Sequence, residues 1–127
     1  MNKTLELKNR LLNKARVTVT SIWSKRLPSD EPVRYTIEFD KGATDEETLE
    51  IAFRQTNRVD GTELISTLGI KAPSSSMGDI FCLNGAFYMV DGCGFREITE
   101  AEYDKAVTLT SRDLGFGYEI AKKEGLL

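Results

Sequence analysis

The chain contains no histidine among its 127 residues. That removes serine and cysteine triads that need an imidazole base, histidine phosphate carriers and the usual catalytic zinc sites. Cysteine is scarce as well, with only Cys82 and Cys93 present. Two thiols without histidine or a second pair make no structural zinc site, and both are read as reduced, buried small hydrophobes. No G-x-x-x-x-G-K-[ST] loop or EF-hand loop occurs. No apolar run approaches a membrane span, and the opening MNKTLELKNRLLNKAR lacks the continuous apolar core of a secretion signal. A cytoplasmic protein with no membrane partner is therefore expected. The net charge of −3 is too mild for an acidic mimic or a general nucleic-acid binder. The 20 acidic residues form no constellation that favours catalysis, so a non-enzymatic protein without cofactor or metal is expected. A carboxylate-dependent enzyme is a further possibility that needs a clustered, desolvated set of acids.

The chain length suits one domain spanning 1–127, large enough to bury a core without staples. Its most readable stretch is SSSMGDIFCLNGAFYMVDGCGFREI, residues 74–98. Asn84-Gly85 tolerates the positive φ angles of a two-residue hairpin turn and separates two runs rich in β-formers. Centring the turn there pairs Leu83 with Ala86, Cys82 with Phe87, Phe81 with Tyr88 and Ile80 with Met89. Both faces are then apolar, which calls for cover on both sides. In that register Cys82 faces Phe87 and Cys93 lies beyond the strand end, so a disulfide between them is not expected.

Upstream, 3–14 reads as a helix with Leu5, Leu7, Leu11 and Leu12 on an apolar side, a surface also suited to a homodimer. Strands are expected at 16–25 and 33–39, around the turn residues of LPSDEP. Thr44-Asp45-Glu46-Glu47 has the form of a capping box, in which Thr44 caps a helix over 45–58 and Glu47 reaches back. Its inner stripe is Leu49, Ala52, Phe53 and Thr56. A short helical turn is expected within 62–70. After strands at 79–84 and 86–91, Gly92 and Gly94 suggest a bulge continuing into 95–98. Thr99-Glu100-Ala101-Glu102 starts a further helix over 100–110, and the tail to residue 127 is weakly helical. The class is α+β, with a small, mostly antiparallel sheet packed by helices.

Residues 76–98 resemble the conserved segment of the YodL-like proteins and related small proteins of bacteriophages, plasmids and integrative elements. The likeness rests on Ser76, Met77, Gly78, Asp79 and Ile80, then Leu83, Gly85, Tyr88, Val90 and Asp91, then Gly94, Phe95 and Ile98. It implies a mobile-element origin and a bacterial host, and it brings no catalytic residues. By analogy with such accessory proteins, the expected role is a non-enzymatic one. The chain would bind and inhibit a host or defence protein, in the manner of an anti-CRISPR or other anti-defence inhibitor. Phe116 and Tyr118, set among glycines, are the candidate anchors of that interface. Trp23, beside a loop, is a weaker candidate and is read first as core packing. The alternative is a nucleic-acid-binding accessory protein using Lys3, Lys8, Arg10, Lys14 and Arg16. A solvated polar face is the ordinary use of such a charge run.

Overall fold

A computed structural model describes residues 14–57, 75–92 and 94–127. Among them, β1 (Lys14–Ser21), β2 (Val33–Asp40), β3 (Ile80–Leu83), β4 (Ala86–Asp91) and β5 (Gly94–Ile98) form one antiparallel sheet in the order β2-β1-β3-β4-β5. The helices are α1 (Asp45–Thr56), α2 (Glu100–Ala106), α3 (Ser111–Leu114) and α4 (Tyr118–Lys123). The α+β class expected from the sequence is the one observed.

β3 is the middle strand, and the hairpin it makes with β4 has the register that Asn84-Gly85 dictates, from Leu83↔Ala86 to Ile80↔Met89. Asn84 and Gly85 both hold positive φ, 53° and 80°, the twist that a two-residue turn needs. Alternation then sends Phe81, Leu83 and Val90 to one face, where Leu49 and Ala52 of α1 join Val17, Val19 and Ile37 in a core. Ile80 and Met89 point to the other face and pack with Ile98, Ala106, Leu114 and Ala121 from β5 and the later helices. The sheet is thus covered on both sides, as its two apolar faces require.

Both expected caps form. Thr99 Oγ1 accepts from Glu102 N–H while the Glu102 carboxylate accepts from Thr99 N–H. Thr44 Oγ1 accepts from Glu47 N–H, but the Glu47 carboxylate reaches one residue further back, to Ala43 N–H. Several boundaries differ from expectation. β1 stops at Ser21 and not at 25, because a 3-10 turn (Ile22–Ser24) follows it. Lys14, expected to end a helix, opens β1; the rest of the 3–14 helix lies outside the described residues, as do the 62–70 turn and Cys93. The expected bulge after Asp91 is instead a reversal, with Asp91↔Gly94 closing a second hairpin and Gly94 at φ 121°. The 100–110 helix ends at Ala106, and the tail resolves into α3 and α4.

Candidate functional site

Four chain segments meet where β1 and β4 end and where β3 and β5 begin. Asp79, wholly buried, is the centre of this end. One carboxylate oxygen accepts from Trp23 N–H at 3.0 Å, and the other accepts from Ser76 N–H at 2.9 Å. Burial pushes the Asp79 pKa up to about 6, against the opposing pull of the N–H groups of Trp23, Ser76 and Ile22. Gly78 holds φ 95°, and a Cβ there would stand 2.8 Å from Leu114 Cβ, so α3 lies directly on the loop that carries Asp79. Gly117 is equally close to Asp91, at 2.9 Å from its would-be Cβ to Oδ1.

The loop 22–32 is pinned along its length. Ser24 Oγ donates to Ser21 C=O and accepts from Val33 N–H, tying the loop's two ends together. Asp30 Oδ2 accepts from Arg26 and Leu27 N–H, contacts that hold its carboxyl below the usual range. Lys25, buried, donates to the carbonyls of Pro28 and Val107; burial lowers its pKa, and its ammonium stands at the end of α2. This fixed backbone presents Trp23, 60% exposed, and Leu27, 59% exposed. Phe116, 73% exposed, projects from the α3–α4 connection at the same end. Reading Trp23 as core packing is therefore corrected. The Asp79 carboxylate takes the indole residue's backbone N–H and leaves the ring outside.

Tyr118 is the opposite correction. Expected to be an exposed anchor beside Phe116, it is 8% exposed. Its hydroxyl donates to Glu102 Oε2 at 2.6 Å, and the Arg96 guanidinium stacks 4.4 Å above its ring centroid. Glu102 is buried too, which alone would raise its pKa; the Tyr118 hydroxyl, Thr99 N–H and the Lys122 ammonium at 3.2 Å outweigh burial and hold it down to about 2. Tyr118→Phe removes a hydrogen bond to a charged acceptor and should cost about 1.5–3 kcal/mol of stability. Urea unfolding checks this; a cost below about 0.5 kcal/mol would show that the hydroxyl is not holding α4 on α2.

Of the basic residues of the alternative reading, the structure describes Lys14 and Arg16. Lys3, Lys8 and Arg10 lie outside the described residues. Lys14 sits across the β1–β2 ladder from Asp40, with an ion pair at 2.8 Å, and Arg16 sits across from Glu38. Each charge is thus matched by its cross-strand neighbour. A cleft of about 460 Å³ at that end of the sheet is lined by Lys14, Arg16 and Lys41, but also by Asp45 at the acidic start of α1. Among the described residues no cluster of three or more histidine, cysteine, aspartate or glutamate side chains is placed to hold a metal, and no helix is long and apolar enough to cross a membrane.

Leu27 escaped the sequence reading altogether, because it lies inside a turn segment where apolar periodicity carries no signal. The chain matches no family model, no curated protein and no solved structure.

Proposed function

We propose that this chain is a non-catalytic accessory protein that docks onto another protein through the loop end bearing Trp23, Leu27 and Phe116. The observation that carries the reading is the exposure of these three large apolar side chains on a pinned backbone. Tryptophan is enriched among residues that dominate binding energy, and a pre-ordered loop loses little entropy on docking. The resemblance of residues 76–98 to small phage and mobile-element proteins supports a host or defence protein as the partner, and inhibition by occupancy as the outcome. The hairpin that carries the resemblance is largely buried, so recognition falls to the loops it supports.

The test is capture from bacterial host lysate by tagged wild-type chain and by a Trp23→Ala/Phe116→Ala variant, with retained proteins identified by mass spectrometry. The expected result is a host protein retained by the wild type and at least about 30-fold depleted on the variant, the effect of losing about 2 kcal/mol of binding energy. Both side chains are exposed, so the variant should melt with the wild type. Equal capture by the two folded proteins would sink this docking end.

A further inference from the structure

The docking end adjoins a second feature that the apolar side chains do not explain. A cleft of about 380 Å³ runs between the loop at Lys25, Arg26 and Pro28 and the segment Thr110–Asp113. Arg26 stands on one wall and Arg112 on the other, both exposed. Among the described residues neither guanidinium pairs with a carboxylate. The acids nearest to them are already engaged, Asp30 with the N–H groups of Arg26 and Leu27, and Asp113 with the N–H and hydroxyl of Thr110. Lys25, whose ammonium is satisfied by backbone carbonyls and not by an acid, adds a third cation to the lining.

We infer that this cleft is a carboxylate-binding subsite that receives an aspartate or glutamate side chain of the partner's docking segment. The inference rests on the proposed docking end and gives its ligand a chemistry. Two guanidinium groups without an acid partner among the described residues, set across a cleft, match a carboxylate, which arginine holds through two parallel hydrogen bonds. Each wall also continues into an exposed apolar side chain: Leu27 follows Arg26, and Phe116 lies four residues beyond Arg112. The fitting ligand is therefore a peptide segment with an acidic residue flanked by apolar ones. A phosphate backbone fits less well. The side chains that continue the cleft's walls, Leu27 and Phe116, are apolar, whereas a phosphate backbone calls for further cations along its path.

The experiment pans a random dodecapeptide display library against the full chain and measures the enriched peptides on wild type, Arg26→Glu/Arg112→Glu and Trp23→Ala/Phe116→Ala. Enriched peptides are expected to carry aspartate or glutamate within a few positions of an aromatic or aliphatic residue. The arginine variant should bind them at least about tenfold more weakly and lose the wild type's salt dependence. The apolar variant should also bind weakly but keep the salt dependence. If affinity falls in the apolar variant alone, or if the peptides lack acids, the subsite is wrong and the docking end stands. No enrichment at all overturns both. Binding of a single-stranded DNA oligonucleotide that disappears in the arginine variant would overturn the assignment in favour of phosphate. Arg26→Ala/Arg112→Ala serves the same comparison if charge reversal disturbs folding, which a thermal melt reports.

Discussion

Replacing Asp79 with alanine is expected to destabilise the protein by about 2–6 kcal/mol, because it strands the N–H groups of Trp23 and Ser76 in a buried site, at about 1–3 kcal/mol each. An asparagine side chain in its place would keep one acceptor oxygen but turn an NH₂ toward a second donor, so Asp79→Asn should cost about 1–3 kcal/mol. The pH dependence separates the charge from the hydrogen bonds. Burial raises the Asp79 pKa from an ordinary 3.8 to about 6, so between those values the folded chain holds a proton that the unfolded chain has released. Stability from this group is therefore fully present below about pH 4 and falls as pH rises toward 6, by on the order of 3 kcal/mol in all. Glu102 acts in the opposite sense, its depressed pKa making stability fall as pH drops from about 4.5 toward 2. That contribution is common to both proteins and cancels in their difference. The advantage of wild type over Asp79→Asn should thus widen as pH is lowered from about 7 to about 4 in parallel urea titrations. A gap that stays constant across that range would show that the carboxylate titrates normally and that its burial costs nothing.

Phe81→Ala should be the most damaging single truncation in the sheet. Phe81 is fully buried in the middle strand, paired with Val19 on one side and Tyr88 on the other, and its ring lies 5.4 Å from that of Phe95. Deleting it opens a cavity bounded by strands that cannot close over it, at about 3–5 kcal/mol. Phe87, on the neighbouring strand and the opposite face, is only half-buried and stacks on Tyr103 at 4.3 Å, so Phe87→Ala should cost clearly less. Denaturant midpoints of the two variants make the comparison. A Phe81→Ala cost no larger than that of Phe87→Ala would contradict the placement of β3 at the centre of the core.

The hairpin was readable because its determinants are local. Asn84-Gly85 admits one turn, and a one-residue slip would invert both faces. The helix starts at Thr44 and Thr99 were readable for the same reason, since an N-cap and its N3 partner are three residues apart. What the sequence hid depends on partners distant along the chain. β1 ends early because Asp79, 56 residues from Trp23, takes the backbone of the turn. α2 ends early where Lys25 captures Val107 C=O across 82 residues. The exchange of roles between Trp23 and Tyr118 has that origin too: Glu102 buries the tyrosine by accepting its hydroxyl, and among the described residues nothing comparable draws the indole inward. Gly92 and Gly94 gave no means of choosing between a bulge and a reversal, because both geometries use the same residues.

The strand order has a kinetic consequence. β1 joins β2 through a short loop and β3 joins β4 through a two-residue turn, but the β1–β3 seam pairs Thr18 with Cys82, 64 positions apart. Local pairings of the first two kinds close small loops and form early, whereas the seam must close a long one. The surface made by Trp23, Leu27 and Phe116 draws on both sides of that seam, with the Trp23–Asp79 bond lying across it. A partner gripping this surface therefore recognises only the fully assembled chain. Its binding should slow the opening of the seam ahead of any other part of the sheet, and amide exchange at those of Thr18, Val19 and Thr20 whose N–H groups face β3 is where that protection would first be seen.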